Sequence, residues 1–108
     1  MYPRRSKFGN TKTVVDGHKY DSKKESKRGE LLKFLERRGE ISELQFQVRI
    51  EIIPKHKKNR KIDYVADFVY KDKDGKIHYE DSKGFRTEVY KLKKKLLSYL
   101  KGIEIEEV

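Results

Sequence analysis

Two short runs place acidic residues where a buried sheet would otherwise be expected: Val65-Ala66-Asp67-Phe68-Val69 and, further along, Tyr79-Glu80-Asp81-Ser82-Lys83. Side chains alternate along a strand, so Asp81 and Lys83 share one face while Glu80 and Ser82 take the other. Between the runs lies Lys71-Asp72-Lys73-Asp74-Gly75, a turn signal with glycine where αL geometry is needed. If Lys73-Asp74-Gly75 forms the loop and Asp72 faces Lys76, counting inward sets Asp67 directly opposite Asp81. Like charges about 5 Å apart repel by roughly 3 kcal/mol at an effective dielectric of about 20. Either one carboxyl then takes a proton or a cation lies between the two. Mg²⁺ suits the second solution, because it binds through one or two carboxylates, keeps several waters and completes its shell with phosphate oxygens; Mn²⁺ is its expected substitute. Lys83 on the same face would hold the attacking water and offset charge on a phosphate, while the metal acts as Lewis acid. This is the equipment for phosphodiester hydrolysis.

A plainer reading sets Asp67 and Asp81 on a solvated sheet face, neutralised by Lys83 in a surface salt bridge. A register slip of one residue would send the two aspartates to opposite faces. Glu25 also has two readings. Ser22-Lys23-Lys24-Glu25 is a capping box, whose glutamate bonds back to the helix start. Alternatively Glu25, Gly29 and Leu32 share the helical face that packs on the sheet, with Gly29 permitting close approach, and Glu25 then reaches the metal.

The elements that position these groups follow from periodicity. Thr13-Val14-Val15 and His18-Lys19-Tyr20 flank Asp16-Gly17 as a short hairpin. A helix is expected from Asp21 or Ser22 to Arg38, with Leu31, Leu32 and Leu35 on one stripe and Gly39 as the cap. Ile41–Ile53 reads as a strand with Leu44, Phe46, Val48, Ile50 and Ile52 in step, ended by Pro54. Lys55–Lys61 is a basic loop. Tyr64–Tyr70 and Lys76–Ser82 form a hairpin. Thr87 opens a second helix, in which Val89, Leu92, Leu96 and Leu100 form one face until Gly102, with Lys91, Lys94, Lys95 and Lys101 on the other side. Ile103–Glu106 closes the chain as a strand. The order is helix, three strands, helix, strand, behind a small hairpin.

A chain of 108 residues, 34% hydrophobic and 43% charged, supports one domain with a thin core. Its 28 Lys and Arg against 18 Asp and Glu give a net charge of +10, which draws polyanions and makes nucleic acid the first partner to consider. Residues 1–12 form a basic arm carrying Arg4, Arg5 and Lys7. Lys57, Lys58 and Arg60 in the central loop, and Lys91 and Lys94 on the second helix, are candidate contacts to a DNA backbone; a solvated surface is the simpler alternative for each. The absence of cysteine excludes disulfides, thiolate nucleophiles and cysteine-based zinc sites. His18, His56 and His78 lack the paired spacing of a zinc site. No apolar stretch of spanning length, lipidation signal or signal peptide is evident, so the expected location is intracellular, in a prokaryotic or phage-infected cell.

Together, Val14-Val15-Asp16-Gly17, Tyr20-Asp21-Ser22-Lys23-Lys24-Glu25, Tyr64-Val65-Ala66-Asp67-Phe68-Val69-Tyr70, Asp81-Ser82-Lys83-Gly84 and Tyr90-Lys91-Leu92-Lys93-Lys94-Lys95-Leu96 resemble the small phage-type endonucleases of the PD-(D/E)XK superfamily, which include Holliday junction resolvase-like members. The resemblance runs from about Thr13 onward and implies that 13–108 is a nuclease domain. Its α/β, restriction-endonuclease-like core is a helix, three strands, a helix and a strand, with a mixed sheet. It implies that Glu25, Asp67, Asp81 and Lys83 are catalytic, with Glu25, Asp67 and Asp81 holding Mg²⁺. Ala66 stands where the superfamily name has proline. The resemblance further implies a homodimer that cuts branched DNA. The alternatives are a nuclease acting on linear or flapped DNA, and a non-catalytic basic DNA-binding module.

Overall fold

The computed structural model describes residues 13–15, 18–20, 22–82 and 86–108, the first two stretches by their backbone alone. The expected basic arm, the Asp16-Gly17 turn and Lys83-Gly84 lie outside the described residues. β1 (Thr13–Val15) and β2 (His18–Tyr20) pair antiparallel as expected, with Thr13 opposite Tyr20. α1 (Lys23–Arg37) begins at Ser22, whose hydroxyl accepts from the Glu25 N–H at 3.1 Å and so satisfies one open donor of the first turn. It ends where Gly39 takes φ 78°, a left-handed conformation that glycine adopts without a Cβ clash.

β3 (Ile41–Ile53), β4 (Ile62–Asp72), β5 (Ile77–Asp81) and β6 (Ile105–Glu107) form one sheet in that spatial order. The β3–β4 and β4–β5 pairs are antiparallel, whereas β6 lies parallel to β5, so the fold is α/β with a mixed sheet. α2 (Glu88–Leu96) provides the crossover between β5 and β6, with Thr87 capping its start, and continues as a π-helical turn over Leu97–Lys101. The β4–β5 turn has the expected geometry: Asp72 N–H donates to Lys76 O at 2.9 Å and Gly75 N–H to Asp72 O at 3.0 Å. In the β4–β5 register Phe68 lies opposite Glu80 and Tyr70 opposite His78, and the paired residues stop one short of Asp67 and Asp81.

Two apolar clusters lie on opposite faces of the sheet. One joins Ile52, Tyr64, Ala66 and Val69 to Tyr90 of α2, Leu97 of the π turn and Ile105 of β6; the other joins Ile41, Phe68 and Tyr70 to Leu32 of α1. This division corrects the reading of β3 as a strand with its apolar residues in step. Leu44 and Phe46 pack in the α1 layer, whereas Val48 and Ile50 pack in the α2 layer. Such a change of face is impossible in a regular strand, whose alternate residues stay on one side. It occurs at Gln47, which takes φ 52°. β4 changes face at the facing position: Ala66 lies in the α2 layer and Phe68 in the α1 layer. Phe46 still pairs with Phe68 and Val48 with Ala66, so the two strands turn over together without losing register.

The helices also correct two expected stripes. Tyr90 and Leu97 bury the inner face of the second helical element; of the predicted apolar face Leu96 packs against the core, while Val89, Leu92 and Leu100 are exposed on an outer flank. The π turn widens the helix beyond 3.6 residues per turn, and spacing counted at 3.6 loses its meaning there. On α1, Leu32 is buried but Leu31 is exposed. The final strand starts later than expected because the chain leaves the π turn through Gly102, at φ 66°, while Ile103 N–H still bonds back to Leu97 O at 3.2 Å. Among the described residues no helix is long and apolar enough to cross a membrane.

Candidate functional site

Glu25, Gly29 and Leu32 line the buried face of α1, as the helical spacing predicts. Only half of the capping box forms as such. Ser22 caps the helix, but the Glu25 carboxylate is turned to the sheet and accepts from the Gln47 side-chain amide at 3.0 Å. The same amide nitrogen lies 3.4 Å from an oxygen of Asp67. Gln47 therefore stands between a helix carboxylate that is 3% exposed and a strand carboxylate that is 9% exposed. The other Asp67 oxygen accepts twice from Ser82, from its N–H at 2.9 Å and its hydroxyl at 3.1 Å. An αL conformation in a residue with a Cβ costs about 1–3 kcal/mol. Hydrogen bonds to buried charged groups contribute about 1.5–3 kcal/mol each and offset that cost here.

Asp81 is fully buried, and its carboxylate accepts from the Tyr64 hydroxyl, itself in the α2-side cluster. Burial pushes the Tyr64 phenol well above its ordinary value, and the neighbouring Asp81 carboxylate adds to that, so Tyr64 keeps its proton and remains a donor. The alternation expected of β5 holds. Glu80 points to the α1 layer, where Arg28 grips it with two bonds of 2.7 and 2.6 Å and the Tyr70 hydroxyl also donates to it. Its hydrogen bond to Glu80 holds the Arg28 guanidinium above its ordinary value, and burial raises Tyr70. Adjacent acids on one strand thus face different layers: Glu80 meets Arg28 and Tyr70 on the α1 side, and Asp81 accepts from Tyr64 on the α2 side.

Of the four residues expected to carry chemistry, Glu25 and Asp67 come together on either side of one amide. Asp81, on the next strand, gives its carboxylate to Tyr64 of the α2-side cluster, and Lys83 lies outside the described residues. The expected three-carboxylate metal group is not preassembled. Among the described residues no three acidic or histidine side chains converge in that way. The physical reason is that Gln47 separates Glu25 from Asp67, while Tyr64 draws the Asp81 carboxylate toward the α2 layer. The donor set is nevertheless all oxygen, which fits a hard divalent cation, and Mg²⁺ needs only one or two protein carboxylates before phosphate arrives. Gln47, Tyr64 and Ser82 were missed by spacing arguments. A glutamine inside an apolar strand run was the one available signal.

The candidate DNA contacts fall into three groups. Arg4, Arg5 and Lys7 lie outside the described residues. Lys57, Lys58 and Arg60 are exposed in a tight turn closed by mutual bonds between His56 and Asn59. Lys91 and Lys94 line an open groove of about 630 Å³ and are paired, with Glu88 at 3.2 Å and Glu107 at 3.7 Å.

Over residues 5–105 the sequence matches the family model described as "Protein of unknown function (DUF1064)". No curated protein and no solved structure matches it significantly.

Proposed function

We propose that this chain, which belongs to the DUF1064 family, is a divalent-metal-dependent endonuclease that hydrolyses phosphodiester bonds in DNA. The observation that carries the reading is that Glu25 of α1 and Asp67 of β4 come together on one amide, with the buried Asp81 on the neighbouring strand β5, all three nearly excluded from water in a chain of net charge +10. Burying carboxylates is costly, and a fold that needed them only for stability would close them with cations, as it does at Glu80. Asp67 is met instead by an amide and a serine.

In this reading Asp67 and Asp81 hold the cation and Glu25 assists them. Ser82 and Tyr64 fix the carboxylate orientations. Lys83 positions the attacking water by its amine. A bound divalent cation supplies Lewis-acid stabilisation of charge developing on the scissile phosphate. The surplus of basic side chains holds the DNA backbone and brings the phosphate to the buried acids. The preferred substrate is branched DNA, cut by a homodimer that presents two matched sites.

Cleavage of four-way junction, flap and plain duplex DNA in Mg²⁺ tests the reading. Junction cleavage that disappears in Asp67→Asn and Asp81→Asn, with DNA binding retained, is the expected result. Cleavage of flap or linear DNA alone would move the activity to another substrate. No cleavage of any of the three would leave a non-catalytic binding module, for which the positive charge suffices.

A further inference from the structure

We infer that Gln47 is a positioning residue of this site, holding Glu25 and Asp67 at a fixed separation so that both carboxylates can engage one cation. The inference rests on the nuclease reading above. Three observations meet at this position. The amide reaches an acid on the helix and an acid on the neighbouring strand, at 3.0 and 3.4 Å, and so links two elements that share no backbone pairing. The residue adopts φ 52° inside a strand, a conformation that side-chain-bearing residues take rarely. Its position is also where β3 and β4 change face, and this brings Asp67 toward α1.

A glutamine suits this place because its amide carries two N–H donors and no net charge. It can lie between two carboxylates without neutralising either, as a lysine would. The carboxylates keep their affinity for a cation, and the strand geometry sets where each one stands. Gln47 is exposed, so replacing its side chain leaves the core closed.

The test compares wild type, Gln47→Gly and Gln47→Glu. Glycine takes positive φ without strain, so Gln47→Gly removes the amide and leaves the backbone free to keep its path. Gln47→Glu keeps the shape but replaces the donor with a third carboxylate. Mn²⁺ binding is read from the free-ion electron paramagnetic resonance signal, and thermal unfolding is followed with and without Mn²⁺. Groups that orient metal ligands typically influence affinity by about 10–100-fold. Gln47→Gly is therefore expected to bind Mn²⁺ about ten-fold more weakly, with kcat for DNA cleavage reduced and KM for DNA unchanged. Gln47→Glu is expected to unfold at lower temperature without metal and to gain more from Mn²⁺ than wild type does. Equal Mn²⁺ affinity in wild type and Gln47→Gly, or equal stabilisation of wild type and Gln47→Glu by Mn²⁺, overturns the role of Gln47 while the nuclease reading stands. A wild type that neither binds Mn²⁺ nor cuts DNA overturns both.

Discussion

Adjacent acids on β5 take different partners, and in the proposed nuclease reading this separates structural from chemical work. Glu80 is buried among Arg28 and Tyr70, and removing its charge leaves a guanidinium without its carboxylate. Glu80→Gln is accordingly expected to lower stability by about 3 kcal/mol, read from the urea midpoint, with little direct effect on cation binding. Asp81→Asn should do the reverse, because Tyr64 can still donate to the amide oxygen of asparagine. The division was legible in the sequence as alternation, since Asp81 and Glu80 must face opposite ways, and the turn chemistry set the register of the β4–β5 hairpin. The neighbours that complete the site were not legible. Gln47 reaches Glu25 from a strand that no spacing rule ties to α1, and Tyr64 reads as an ordinary strand residue until the fold sets its hydroxyl on Asp81.

At the scale of the elements, element order and type could be read because turn chemistry and caps mark their ends, as at Ser22, Gly39, Gly75 and Thr87. Which face of each element is buried was less legible. The stripe Val89, Leu92, Leu96 and Leu100 looks like a core face, yet Leu97 has no exposure while Leu92 is 57% exposed. Leu97→Ala should therefore cost about 3 kcal/mol, within the range for deleting a buried leucine side chain, and Leu92→Ala less than about 0.5 kcal/mol, in the same unfolding assay. The end strand β6 has its own fastening. His78 of β5 meets Asp72 at the hairpin turn and Glu106 of β6, each at 2.7 Å, and stacks on Tyr70. Both contacts need a proton, which only the imidazolium supplies to both at once. The hydrogen bond to Asp72 raises His78 and lowers Asp72, with Glu106 also raising the imidazole and burial opposing it. A raised imidazole contributes stability that is complete below its ordinary value of 6.5 and is lost as pH rises through the higher folded value. The lowered Asp72 contributes above its ordinary 3.8 and is lost as pH falls through its folded value. Stability from this contact should be greatest between these limits and decline on the alkaline side. The decline should be absent from thermal unfolding profiles of His78→Gln.

Taken as a whole molecule, the chain combines a strong positive surplus with a small core whose acids are turned inward. DNA binding should weaken steeply with salt, because each neutralised phosphate releases counterions. Alanine at Lys57, Lys58 and Arg60 is expected to flatten the logarithmic salt dependence by about one unit for each phosphate no longer neutralised, measured by fluorescence anisotropy. Lys91 and Lys94 should matter less, since carboxylates already hold them. The crossing of β3 and β4 has a further consequence. Phe46 and Val48 occupy opposite layers, as do Ala66 and Phe68, so Gln47 and Asp67 together amount to one surplus rung in the evenly paired stretch from Gln45 to Glu51. Excising both residues would leave every neighbouring apolar side chain on the side it already occupies, whereas excising either alone would put the two rails out of step. The rung that carries the candidate chemistry is therefore dispensable to the ladder: the double deletion should keep a native circular dichroism spectrum and, on the proposed reading, lose Mn²⁺ binding.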